Sequence, residues 1–132
     1  GNYYLVKACE GSQISKYHLE AGIAYWHTTP TDENKWEYIL RLYNQLIIIE
    51  YSSVIALNRT FAYGKVYGKE KAIVEAEKLG LQDNRYYHEL LGYLYTDINN
   101  QKAIAHYQKA IALSKSANER ATLQKQIEQL VK

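Results

Sequence analysis

The segment Leu90–Leu113, LLGYLYTDINNQKAIAHYQKAIAL, reads as two short helices around a turn. Leu91-Gly92-x-x-Tyr95 marks the first helix; Ala103, Tyr107 and Ala110 mark the second. Gly92 and Ala103 carry almost no side chain, so two helix backbones can approach closely there. Tyr95 and Tyr107 supply rings that can fill the wedge between one hairpin and the next.

The second-helix frame recurs upstream. Ile39-x-x-x-Tyr43-x-x-Leu46, Ala72-x-x-x-Ala76-x-x-Leu79 and Ala103-x-x-x-Tyr107-x-x-Ala110 share one spacing, with first positions 33 and 31 residues apart (39 to 72, 72 to 103). A helix-turn-helix period near 34 is the tetratricopeptide signature. The expected fold is therefore all-α, with antiparallel helical hairpins stacked as a tetratricopeptide-like right-handed array. In the middle unit Tyr63 parallels Tyr95 and Ala72 parallels Ala103.

That register settles a competing reading of FAYGKVYGKEKAIVEAEKL, Phe61 to Leu79. Gly64-Lys-Val-Tyr-Gly68-Lys69 looks like a phosphate loop, but its glycines are one residue too close. Glu70 also stands where the loop needs a hydroxyl, and would repel a phosphate. Gly64 to Gly68 is read as the end of one helix and the corner into the next.

Elsewhere the helix signals are short-range. Asn2 to Cys9 is an apolar segment, read as the tail of a helix. Ser15 caps a helix through Tyr17, Leu19, Ile23 and Trp26 to His27, and Pro30 breaks the chain after it. Thr31 is the expected N-cap of a helix from Asp32 to Glu50, with Asp32 and Glu33 in the positive first turn. Ser52 or Ser53 starts the next helix, to about Val66. Gly68 opens another, and Gly80 ends it as a left-handed cap. Asn84 to Ile98 and Asn99 to Leu113 follow. Ser116-Ala-Asn-Glu119 reads as a capping box for a last helix whose stripe is Leu123, Ile127, Leu130 and Val131.

At 132 residues, 47% hydrophobic and 23% charged, the chain suits one compact globular domain spanning 1–132. The absence of any Met leads to the expectation that Gly1 is a cleavage or cloning remnant and the chain a fragment of a longer protein. The 16 basic and 14 acidic residues interleave, with no block that could grip nucleic acid. Cys9 is single, which points to a reducing, cytoplasmic setting, and no apolar run is long enough to span a membrane. Four histidines, at 18, 27, 88 and 106, show no helical metal-ligand spacing, and nothing pairs an acid with a base. No cofactor, metal or catalytic residue is expected.

Fourteen tyrosines stand against one Phe. Tyr86, Tyr93, Tyr95 and Tyr107 serve inter-helix packing on one reading. On the other, Tyr86, Glu89 and Tyr93 share one helical face and line a groove for a partner segment.

SKYHLEAGIAYWHT (Ser15–Thr28), WEYILRLYNQL (Trp36–Leu46), SSVIALNRTFAYGKVYG (Ser52–Gly68) and YYHELLGYLY (Tyr86–Tyr95) follow one another in an order with a known counterpart. Together they resemble the C-terminal extension of a group of bacterial extracytoplasmic-function RNA polymerase sigma factors. One departure is Ser53, where family members often carry Pro. The resemblance implies a tetratricopeptide-like domain that modulates transcription initiation by contacting the sigma core of the same chain, RNA polymerase or another protein. Neither enzymatic activity nor direct nucleic-acid contact is expected of this part, on the residue patterns above. Promoter-reading regions would lie in an N-terminal part outside this sequence. Within the Ala-Leu-Asn-Arg stretch, Asn58 and Arg59 either touch that core or join two helices by a hydrogen bond. The alternative function is a freestanding tetratricopeptide-type adaptor that captures a peptide of another protein.

Overall fold

The computed structural model describes residues 16–28 and 34–131. Among them are seven helices and no strand: α1 (Lys16–Thr28), α2 (Lys35–Ile49), α3 (Ser53–Tyr67), α4 (Lys69–Leu79), α5 (Arg85–Tyr95), α6 (Asn100–Leu113) and α7 (Ala117–Leu130). The all-α expectation holds. The Asn2–Cys9 segment, the Ser15 cap and the Thr31 cap with Asp32 and Glu33 lie outside the described residues. The helices group into two compact units, 1–62 and 63–132, divided within α3.

In the first unit, α1 packs on α2. Leu19 and Ile23 of α1 meet a stripe of Ile39, Leu40, Tyr43 and Leu46, which the three-four spacing puts on one face. Tyr17 does not join them; it is 76% exposed. Gly22 lets α1 approach, since a Cβ there would sit 3.1 Å from Leu42 Cδ1. Trp26 stacks on Tyr38 with ring centroids 4.5 Å apart. Ser52 Oγ accepts from Ile55 N–H at 3.1 Å and so caps α3.

In the second unit successive helices pack as hairpins: α4 on α5, α5 on α6 and α6 on α7. The recurring frame is interior. Ala72, Ala76, Ala103 and Ala110 are fully buried and Tyr107 nearly so, while Leu79 is half-buried. The helix-to-helix corner at α3–α4 is Gly68 alone, at φ 100° and ψ 157°. Gly64 is not part of that corner. It lies inside α3, where a Cβ would stand 3.0 Å from the Ala72 Cβ. Gly64-to-Tyr67 is therefore helix, and a phosphate-cradling nest cannot form there. Gly80 ends α4 in the left-handed region, as the helix-stop signal requires.

Asn84 Oδ1 accepts from the N–H groups of Tyr86 and Tyr87, and Asn99 Oδ1 from that of Lys102, fixing the starts of α5 and α6. The helix α5 ends at Tyr95, three residues before Ile98, because Asp97 takes φ 68° and turns the chain. Ser116 Oγ accepts from Glu119 N–H, but the capping box is not reciprocal. The Glu119 carboxylate accepts from Lys115 N–H, one residue before the cap. Leu123 and Ile127 join Tyr107 and Ala110, with Leu130 against them. Val131 falls past the helix end and is 67% exposed, so it is not in the stripe.

Candidate interaction surface

Asn58 and Arg59 follow the buried pair Ala56 and Leu57 on α3, so they point off its core face. Arg59 Nε donates to Asn44 Oδ1 at 2.6 Å, tying α3 to α2. Asn58 is hydrogen-bonded to the phenol of Tyr43 on the same neighbour. Burial raises the Tyr43 phenol pKa, and the Asn58 hydrogen bond pulls it back. Of the two roles open to this pair in the sequence, the structure displays the inter-helix one.

Tyr43 and Asn58 also line a groove of about 330 Å³ in the first unit. Its walls include Ile23 and Ala24 of α1, Leu46 of α2, and Val54 and Ile55 of α3; Glu20, His27 and Asn58 supply its polar groups. Beside it the chain leaves apolar residues in solvent. Ile48 is 85% exposed, Val54 61%, and Ile49 and Tyr51 are also exposed. Four such residues within seven positions of the α2–α3 corner are more than scattered surface apolarity. The sequence reading did not single them out. The available signal was that Ile48 and Ile49 continue an apolar run after the buried stripe has turned away.

In the second unit Tyr86, Glu89 and Tyr93 occupy one side of α5, three and four residues apart. Tyr86 is exposed, with the Arg85 guanidinium 4.2 Å over its ring. Arg85 also meets Glu89 at 3.3 Å and Glu119 at 3.5 Å, which joins α5 to α7. Burial raises the Glu89 pKa; Arg85 lowers it and Glu119 raises it again. Tyr93 is half-buried beneath Lys69, whose Nζ lies 4.6 Å from the ring centroid. The three share a face, yet the adjoining depression of about 360 Å³ is built from Asp83, Asn84, Arg85, Tyr86, Leu113, Lys115 and Glu119. Glu89 and Tyr93 are not among its lining residues. Tyr95 and Tyr107 are packing residues: both are buried, and Tyr95 Oη donates to Glu77 Oε2 at 2.9 Å.

Among the described residues no three His, Cys, Asp or Glu side chains gather as metal ligands would, and no helix is long and apolar enough to cross a membrane. Cys9 lies outside the described residues. Two histidines that the sequence separates by 18 positions do meet: His88 Nδ1 and His106 Nδ1 are 3.0 Å apart.

No family model matches the chain. It is similar to an uncharacterized protein of Rhizobium meliloti (strain 1021), 33% identical over 129 residues, a match covering 94% of this chain and 30% of that protein. The chain therefore spans less than a third of its relative's length.

Proposed function

We propose that this chain is a non-enzymatic protein-interaction domain, and that it acts as the C-terminal regulatory part of a cytoplasmic extracytoplasmic-function sigma factor. The observation that carries the interaction reading is the apolar corner of Ile48, Ile49, Tyr51 and Val54 beside the groove of the first unit. Such a surface gains free energy when a partner covers it, at roughly 25 cal/mol for each Å² of apolar area removed from water. The sigma-factor assignment rests on the ordered resemblance of Ser15–Thr28, Trp36–Leu46, Ser52–Gly68 and Tyr86–Tyr95. The relative's much greater length leaves room for a core preceding such a domain. The domain would dock this face on the sigma core and bias its engagement of RNA polymerase.

The test is transcription in vitro from a promoter the full-length protein serves. It compares the intact protein, a version lacking residues 15–132, and one carrying Ile48→Asp with Val54→Asp. Deletion should change the transcript level, and the double variant should reproduce that change while keeping its helical circular dichroism. Unchanged transcription on deletion would overturn the regulatory reading. A folded double variant with intact regulation would overturn the choice of surface.

A further inference from the structure

His88 is fully buried on α5, and both of its ring nitrogens are engaged. Nε2 lies 2.7 Å from the carbonyl oxygen of Gln82. A carbonyl only accepts, so Nε2 carries a hydrogen. Nδ1 faces His106 Nδ1 of α6 at 3.0 Å, with ring centroids 5.3 Å apart. The difference between these distances is what two ring radii supply. The two nitrogens therefore point at one another along the line of centres, an edge-to-edge hydrogen bond and not a face-to-face stack.

A contact of this kind has room for one hydrogen. In the neutral pair His106 Nδ1–H donates to the bare Nδ1 of His88, and His106 Nε2 is left without a proton. One further proton can be accepted at that nitrogen, or equivalently the shared hydrogen shifts to His88 while His106 becomes the Nε2–H tautomer. Either way the contact survives with a single positive charge. A second added proton would set two N–H groups head to head. We propose that His88 and His106 form an acid-opened latch between α5 and α6: the pair holds one added proton with its contact intact and parts when a second arrives.

The surroundings set the direction. Tyr95 of α5 lies parallel to the His106 ring, centroids 5.8 Å apart, and Tyr87 of α5 meets both imidazoles edge-on. Burial lowers the His106 pKa most; His88, then Lys109 and Lys102 of α6 itself, lower it further, and Glu77 of α4 opposes them. Below about pH 6.5 the unfolded chain charges both imidazoles, whereas the folded latch takes one at most. The unfolded state then binds more protons, so stability falls as pH falls. The window opens at the unfolded value and runs down through the lowered folded one.

His106→Asn isolates this effect. Its amide stands near the position of Nδ1, donates to neutral His88 and, after a flip, accepts from charged His88. One histidine remains, with no proton conflict. Urea unfolding of the 132-residue chain should show the wild-type folding constant falling about tenfold more per pH unit than that of His106→Asn between about pH 6 and 5, the signature of one extra proton taken up on unfolding. Parallel pH profiles would overturn the proposal. Imidazole ¹⁵N spectra of the wild-type chain supply a second readout that needs no variant. They should show His88 protonated at Nε2 and His106 at Nδ1 at neutral pH. A folded species with both rings fully charged and the α5–α6 contact intact would also overturn it.

Discussion

Replacing Gly92 by Ala tests the close packing of α5 on α6 at its tightest point. A Cβ at Gly92 would lie 2.7 Å from Tyr107 Cε1, 2.8 Å from Cζ and 2.9 Å from Cδ1. All three atoms belong to one rigid ring, so no flexible chain end can swing aside. The ring is held elsewhere too: its phenol is hydrogen-bonded to the Thr96 side chain, and it packs with Ala110, Leu123 and Ile127. Two effects compete. Ala in place of a mid-helix Gly is worth about 1 kcal/mol to the folded state. Overpacking a filled interior costs roughly 1–3 kcal/mol. Held in place, the ring makes the second effect win, and Gly92→Ala should destabilise by roughly 0–2 kcal/mol net. In a Tyr107→Ala background the obstacle is gone and only the helix preference remains, so the same substitution should stabilise by about 1 kcal/mol. Tyr107→Ala itself should cost about 3–5 kcal/mol, as other buried aromatic truncations do. Urea unfolding followed at 222 nm for the four proteins gives the coupling, expected at about 1–3 kcal/mol. Should Gly92→Ala stabilise both backgrounds equally, the ring does not occupy that space and the α5–α6 register is wrong.

Two further outcomes follow from the backbone and from a buried phenol. Gly68→Ala and Gly80→Ala both place a Cβ in open space, so any cost is conformational. Gly80, at φ 61° and ψ 31°, should lose about 1–2 kcal/mol, whereas Gly68, at φ 100° and ψ 157° in a region that excludes side chains, should lose about 1–3 kcal/mol. Equal urea midpoints for Gly68→Ala and wild type would refute the corner geometry. Tyr95 is pushed up to about 12 by burial and by its hydrogen bond to Glu77. A raised folded value means stability is intact below the unfolded value of about 10 and is lost as pH climbs through the folded one. Absorbance at 295 nm should lose its last-ionising tyrosine in Tyr95→Phe; an unchanged alkaline limb would refute the assignment.

The parts of the fold legible in the sequence are those where periodicity reports burial directly. Ile39, Tyr43 and Leu46, like Ala103, Tyr107 and Ala110, are spaced to share a face, and all six are buried. Caps at Asn84, Asn99 and Ser116 are equally local, because a side-chain oxygen reaches only the next two or three amides. Glycine is where local reading divides. Gly68 is required by positive φ and Gly64 by the nearness of Ala72, yet both appear in the sequence as the same missing side chain. A corner that takes in both glycines ends α3 at about Val66, one residue short of the observed Tyr67. The exposed corner was hidden by a related ambiguity, since a run such as Leu46-Ile-Ile-Ile49 looks uniformly buried until the helix axis decides which members face out.

The histidine pair lies beyond either kind of signal. Spacing rules for metal or proton sharing on one helix look three or four residues away. Partners on the two arms of a hairpin are instead matched by distance from the turn. Asn99, which caps α6, falls midway between Tyr95 and Ala103, a pair that its backbone joins: its N–H donates to Tyr95 and its carbonyl accepts from Ala103. Counted from Asp97, the left-handed residue in the middle of the Thr96–Asp97–Ile98 turn, His88 lies nine residues back and His106 nine on. Inserting one residue into α6 between its Asn99 cap and His106 would carry His106 about 100° round the helix and part the nitrogens. A pairing matched across a turn is written in neither helix alone, which is why the two histidines show no spacing signal in the sequence.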